Sequence, residues 1–129
     1  MESLIIKRTE DTPEVEFSIK TGVFKISGRS LPENAIEFYK PIFAWVDEAL
    51  KSSANRDINV EIRLEYFNTA SSKQIAKLFL LLENFIETNN ISIKWYYERE
   101  DNDMLISGSQ YAKFLNLSFT FIEFDSDSE

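Results

Sequence analysis

The stretch INVEIRLEYFNTASSKQIAKLFLLLENFI, residues 58–86, decides the fold. Apolar and polar side chains alternate over Ile58–Phe67, which is the period of a half-buried strand. Beyond it, apolar residues recur every three or four positions, as on one face of a helix: Ile75, Leu78, Phe79, Leu82, Phe85 and Ile86. Asn89-Asn90 is predicted to end that helix. A strand that leads directly into a helix predicts an α/β fold.

The chain after this stretch repeats the order of strand and helix. A strand over Ile91–Tyr97 is followed by a weaker helical pattern and by a last strand with Phe119, Phe121, Ile122 and Phe124. Gly108 is predicted to interrupt the weaker helix, at a close approach between backbones. Because helical crossovers join parallel strands, we expect Ile58–Phe67 and Ile91–Tyr97 to be parallel neighbours, bridged by the helix that holds Leu78 and Leu82.

The chain before residue 58 predicts a hairpin and one more helix. Thr21-Gly22 is turn material between two alternating segments, and Leu4–Ile6 can add an edge strand. The segment SLPENAIEFYKPIFAWVDEAL, residues 30–50, has helical spacing in Ile36, Tyr39, Phe43, Val46 and Leu50. Pro32 is expected in its first turn. Pro41 either kinks the helix or marks a later start, and we favour the kink.

These elements predict a single α/β domain over residues 1–124. It has a mixed β-sheet with an N-terminal hairpin and with helices packed against the sheet. The total of 129 residues fits one domain. The acidic residues 125–129 are expected to form a solvated tail.

Composition argues against several classes of function. The chain has no histidine and no cysteine, so a histidine-based triad, a cysteine nucleophile and a zinc site are improbable. With only three glycines it has no phosphate-binding glycine motif. We therefore expect neither an enzyme nor a cofactor. The net charge of −8 disfavours nucleic acid and anionic membranes, and it favours a protein partner with a basic groove. Missing cysteines and a missing secretory segment suit a cytoplasmic protein.

The junction YFNTASSKQI, residues 66–75, places three hydroxyls and an amide between strand and helix. Ser71 fits an N-cap with Gln74 three residues later, which is a capping box. Thr69 could be the cap instead, with Ser72 then inside the first turn. A third interpretation is that Thr69 is presented to another protein.

Three blocks of sequence resemble the SiaC family of bacterial regulatory phosphoproteins, whose fold resembles the STAS domains of anti-sigma-factor antagonists. The blocks are SGRSLPENAIEFYKPIFAW at 27–45, LEYFNTASSK at 64–73 and IKWYYEREDNDM at 93–104. The resemblance implies that Thr69 is phosphorylated by a dedicated kinase and dephosphorylated by a PP2C-type phosphatase. It also implies that the unmodified form binds and regulates an effector, which in the best-known systems of the family is a diguanylate cyclase.

Six further residues are candidates for partner contact, either by that resemblance or by their place beside Thr69: Glu33, Asn34, Asn68, Ser71, Lys73 and Tyr97. Glu33 and Asn34 can also simply cap the first helix. One tyrosine of Tyr96-Tyr97 is expected to face solvent. Asp101 and Asp103 fit a loop and helix N-cap better than a metal site.

A second class of function remains open on the sequence alone. The aromatic ends of the strands could form a small-ligand-binding or scaffold module. Thermal stabilisation by a ligand would distinguish that module from a phosphorylation switch.

Overall fold

The protein is described here by a computed structural model, which covers residues 1–125 with six strands and three helices. The elements are β1 Leu4–Ile6, β2 Glu14–Ser18, β3 Val23–Ser30, α1 Ala35–Lys51, β4 Asp57–Phe67, α2 Thr69–Glu83, β5 Asn90–Glu98, α3 Asn102–Phe114 and β6 Ser118–Phe124. The predicted acidic tail lies outside the described residues except for Asp125, whose carboxylate lies 3.8 Å from Arg99 Nη1.

The six strands form one mixed sheet in the order β1-β2-β3-β4-β5-β6. β1, β2 and β3 pair antiparallel, whereas β3 to β6 are successive parallel neighbours. The predicted hairpin, the edge strand at Leu4–Ile6 and the parallel pair bridged by α2 are therefore confirmed. The expected single α/β domain with a mixed sheet and packed helices is confirmed as well.

The core lies between one face of this sheet and the helices. Each of β4, β5 and β6 is added next to the strand before it, at the same edge of the sheet. Because the crossovers between these parallel strands are right-handed, all three helices lie on one face of the sheet. The side chains of β4 that point to that face are buried: Ile58, Val60, Ile62 and Leu64. Trp95 of β5 is fully buried and its ring contacts Phe67, Phe79 and Tyr111. No helix within residues 1–125 is long and apolar enough to cross a membrane.

Helix α1 begins later than the sequence predicted. Asn34 is its N-cap and accepts a hydrogen bond from the Glu37 N–H at 3.1 Å, so Pro32 precedes the helix. Ile36 is 62% exposed because Ala35 takes the buried position four residues before Tyr39. The helix is continuous through Pro41, so the alternative in which Pro41 marks the start of the helix is wrong. The kink stays a prediction.

The ends of α2 and the middle of α3 also differ from the prediction. The Asn84 N–H bonds the carbonyls of Leu81 and Leu82, which ends α2 at Glu83 and leaves the apolar residues that follow outside the helix. Gly108 does not interrupt α3. A Cβ atom at Gly108 would lie 2.5 Å from Trp95 Nε1, so the close neighbour is an indole ring and not a backbone.

Candidate functional site

The junction between β4 and α2 is organised by Asn68. This residue lies between the last residue of the strand, Phe67, and the first residue of the helix, Thr69. Its backbone N–H donates to the Ser30 carbonyl at 3.0 Å. Its side-chain Oδ1 accepts from the Ser71 N–H at 2.9 Å. Asn68 is therefore the N-cap of α2, because it supplies an acceptor to the unpaired first turn.

Both capping assignments from the sequence are wrong. Ser71 is fully buried in the first turn, three residues after the cap, and Thr69 is already the first helical residue. Asparagine caps as well as serine does, and it fits the extended backbone at this position, with φ −84° and ψ 175°. The sequence feature that identifies the cap is Asn68 itself, a good N-cap residue that lies directly before Thr69.

The Ser71 hydroxyl belongs to a buried chain of hydrogen bonds. Ser30 Oγ donates to Ser71 Oγ at 2.8 Å and lies 2.7 Å from the Tyr39 hydroxyl. A serine hydroxyl has one proton, so Tyr39 must donate to Ser30. The chain ties the start of α2 to β3 and α1. Burial raises the pKa of Tyr39 to about 12, which keeps its proton in place.

The Ser72 hydroxyl is also occupied. Tyr111 of α3 donates to the Ser72 carbonyl at 2.8 Å, and the two side-chain oxygens lie 3.0 Å apart. Since the phenol has one proton, the Ser72 hydroxyl donates to the phenol oxygen. Burial raises the pKa of Tyr111, so the phenol remains a donor at neutral pH.

Thr69 differs from both serines. Its side chain is exposed at the first position of α2, and its hydroxyl makes no hydrogen bond within residues 1–125. It is thus the hydroxyl of this junction that a second protein can reach without first opening the fold. The first turn of α2 contains no acidic residue, so its positive end carries no carboxylate.

The other predicted contact residues lie on several elements. Glu33 and Asn34 are exposed just before α1, and Lys73 is exposed on the second turn of α2. Tyr96 and Tyr97 are both half-buried, and Tyr97 packs against the core, so neither is the solvent-facing tyrosine that we expected. Asp101 caps α3 and accepts from the Met104 N–H at 3.0 Å, which confirms the predicted role as a helix cap.

The aromatic strand ends do not form one cluster. Tyr66 is exposed and lies under the Arg29 guanidinium, with 5.6 Å between the guanidinium carbon and the ring centre. Tyr96 makes the same kind of contact with Arg63 at 5.3 Å. Tyr97 packs on the core. Tyr66, Tyr96 and Tyr97 therefore lie in separate contacts, and Arg63 joins Tyr96 to Phe124, whose ring centre is 4.3 Å from the guanidinium carbon.

The sequence missed Ser30, Tyr39 and Tyr111. Ser30 and Tyr111 bond junction residues that lie 41 and 39 positions away along the chain, and Tyr39 bonds Ser30. Local spacing carries no signal for such contacts, because the sheet and the helix packing bring them together.

We predict that Asn68→Ala lowers the free energy of unfolding by about 0.5–2 kcal/mol, because the Ser71 N–H loses its acceptor. Thr69→Ala is the matched control and is expected to change stability little, since the Thr69 side chain is exposed. Urea unfolding followed by circular dichroism measures both. Equal stability of Asn68→Ala and the unchanged protein would show that Asn68 is not the cap.

We also predict that stability falls as the pH rises from 10 towards 12. In the folded protein the pKa of Tyr39 is about 12, whereas a tyrosine in the unfolded chain has its ordinary pKa of 10.0. The stabilisation is complete below pH 10 and is lost through this window, at up to about 1.4 kcal/mol per pH unit for one group. Tyr39→Phe should show a shallower decline in urea titrations at pH 9, 10 and 11. Identical slopes would contradict the assignment.

Comparison with known proteins agrees with this architecture over almost the whole chain. The sequence profile described as SiaC family regulatory phosphoprotein matches residues 6–124. An uncharacterized protein of Pseudomonas aeruginosa (strain UCBPP-PA14) is 28% identical over 122 residues, which cover 94% of each chain.

Solved structures give the same result. SiaC of Pseudomonas aeruginosa superposes with a TM-score of 0.87 at 26% identity, covering 96% of this chain and 100% of that one. A structure of diguanylate cyclase SiaD in complex with its activator SiaC, from the same organism, matches with a TM-score of 0.88 at 25% identity, covering 94% and 99%. The chain belongs to the SiaC family of regulatory phosphoproteins.

Proposed function

We propose that this protein is a non-enzymatic signalling switch whose state is set by a phosphate on Thr69. A partner kinase transfers the terminal phosphoryl group of a nucleoside triphosphate to Thr69 Oγ1, and the hydroxyl proton is released. A PP2C-type phosphatase hydrolyses the phosphate ester, which restores the hydroxyl and yields inorganic phosphate. Both enzymes and the switch would work in the cytoplasm.

The observation that carries this proposal is the exposure of the Thr69 hydroxyl beside two occupied ones. Ser71 is buried and Ser72 is bonded to Tyr111. A phosphate on Thr69 would lie at the positive end of α2, with Lys73 one turn further along. The helix dipole would stabilise it by roughly 0.3–1 kcal/mol, so the domain is expected to stay folded when modified.

For the effector, we propose a diguanylate cyclase that the unmodified form binds and regulates. Support comes from the similar SiaC, which is described as the activator of the cyclase SiaD and is in complex with it. The contact surface would contain the exposed Thr69 and Lys73, with Asn68 and Ser71 holding the junction in shape. Glu33, Asn34 and Tyr97 complete the proposed partner-binding set.

Phosphosite mapping tests the proposal. The protein is isolated from its own cells with phosphatase inhibitors and examined by tandem mass spectrometry. We expect one phosphate, on Thr69, which disappears in Thr69→Ala and persists in the matched control Ser72→Ala. A phosphate on Ser71 or Ser72, or none under any growth condition, would contradict it.

A further inference from the structure

We propose that the Ser72–Tyr111 pair couples the phosphorylation state of Thr69 to the docking of α3. This inference rests on the proposed function of Thr69, and it assigns a conformational consequence to the phosphate inside this domain. The pair consists of the two hydrogen bonds that join Ser72 of α2 to the Tyr111 hydroxyl of α3.

Helix α3 is attached through few side chains. Within it, Met104 and Gly108 are the buried residues; Met104 belongs to its first half and Gly108 is its central residue. That half is fixed by the Trp95 indole, whose Nε1 donates to the Met104 carbonyl at 3.0 Å. In the second half, Phe114 is 83% exposed. Tyr111 is the aromatic residue of that half that packs on the core, and just beyond the helix Leu115 packs there as well and the Asn116 N–H donates to Glu83.

Tyr111 holds the second half in two ways. Its ring packs edge-on against Phe79, with 5.2 Å between ring centres, and tilted against Trp95 at 5.6 Å. Its hydroxyl gives a proton to the Ser72 carbonyl and receives one from the Ser72 hydroxyl. The second of these bonds uses the single proton of Ser72, so it is lost whenever that proton turns to another acceptor.

A phosphate on Thr69 is such an acceptor. Thr69 lies three residues before Ser72, and side chains at this spacing are neighbours on a helix, with about 5–6 Å between their Cβ atoms. Charged phosphate oxygens accept hydrogen bonds more strongly than a neutral phenol does. The Ser72 hydroxyl then turns from Tyr111 to the phosphate, and the second half of α3 loosens.

Looser docking also changes the groove between α2 and α3. This groove holds about 350 Å³ and is lined mainly by apolar side chains, with Ala76 and Leu80 on one wall and Phe114 and Leu115 on the other. Ser72 and Tyr111 lie at its edge. A phosphate that never enters the groove thus alters its shape through the Ser72–Tyr111 pair.

Hydrogen–deuterium exchange of the full chain tests the coupling without any kinase. Phosphothreonine is placed at residue 69 by genetic encoding, and exchange is followed by mass spectrometry in peptides from residues 109–114. We expect exchange about fivefold faster in the phosphorylated protein and in Ser72→Ala, and faster still in Tyr111→Phe, which removes both hydrogen bonds of the pair. The factor of about five corresponds to the loss of one ordinary hydrogen bond.

The matched control is Ser109→Ala, since the Ser109 hydroxyl donates only to the Leu105 carbonyl of its own helix. We expect it to leave exchange unchanged, and we expect phosphorylation to add less than about twofold when Ser72 is already alanine. The coupling is overturned if phosphorylation leaves α3 exchange unchanged, if it adds the same factor in Ser72→Ala, or if Ser109→Ala has the effect of Tyr111→Phe. These exchange measurements involve no effector. A negative result would therefore contradict the coupling to α3 and would leave the proposed function of Thr69 to its own test.

Discussion

A phosphate on Thr69 is expected to weaken binding of the proposed cyclase partner roughly hundredfold, which corresponds to roughly 2.8 kcal/mol. The group adds about −1.5 to −2 charges at a position where the unmodified protein has a neutral hydroxyl. An interface formed around that hydroxyl must desolvate the dianion or leave it unpaired, and both are costly. A complete switch between two states needs a preference of roughly 5.5 kcal/mol, so hundredfold is a modest expectation.

Substitutions at Thr69 test the effect of an added negative charge on binding without phosphorylation. Thr69→Glu adds a single charge and should weaken binding less than the phosphate does. Thr69→Ala should bind like the unmodified protein and resist the kinase. A diguanylate cyclase is recovered together with this protein from its own cells. Isothermal titration calorimetry then measures the dissociation constant of its complex with each variant and with the phosphorylated protein. Unfolding of Thr69→Glu, seen by circular dichroism, would contradict the expectation that the helix accommodates the charge.

The second large effect concerns stability. Trp95→Ala is expected to lower the free energy of unfolding by about 3–5 kcal/mol, the usual range for removing a buried aromatic side chain. Trp95 is fully buried and contacts the rings of Phe67 and Phe79. Its indole also supports α3 through the Met104 carbonyl and the close contact at Gly108. Urea unfolding at neutral pH measures the loss.

The matched control for this change is Trp45→Ala. Trp45 is half-buried on α1 and packs against Phe17 and Phe24, with 5.8 and 5.2 Å between ring centres. Because more of this side chain faces solvent, its removal should cost less than that of Trp95. If Trp45→Ala lowers the free energy of unfolding more than Trp95→Ala does, Trp95 is not at the centre of the core.

The fold could be predicted from the sequence because its signals are local. Alternation over Ile58–Phe67 and the helical spacing after it fix two elements and their order, and parallel pairing follows from the crossover rule. Helix ends were harder. Ala35 and Ile36 are adjacent and both apolar, so the sequence does not show which of them is buried. Packing of the helix on the sheet buries Ala35 and leaves Ile36 exposed.

The site was predicted in part. Thr69 was named from resemblance, and the structure places it exposed at the first position of α2. Ser71 was named as a cap because the capping-box pattern matches the sequence. Asn68 competes for the same role and provides the side-chain acceptor one residue before the helix. The contacts of Ser71 and Ser72 with Ser30 and Tyr111 depend on packing between distant segments, which no local pattern encodes.

The central claim is that the phosphate on Thr69 decides whether this protein acts on a cyclase. The most direct measurement is the rate of cyclic diguanylate formation by the co-purified cyclase, with either unmodified protein or protein carrying phosphothreonine at residue 69. The account predicts that the unmodified protein changes the rate in a saturable manner and that the phosphorylated protein does not at the same concentrations. Equal effects of the two forms would contradict it.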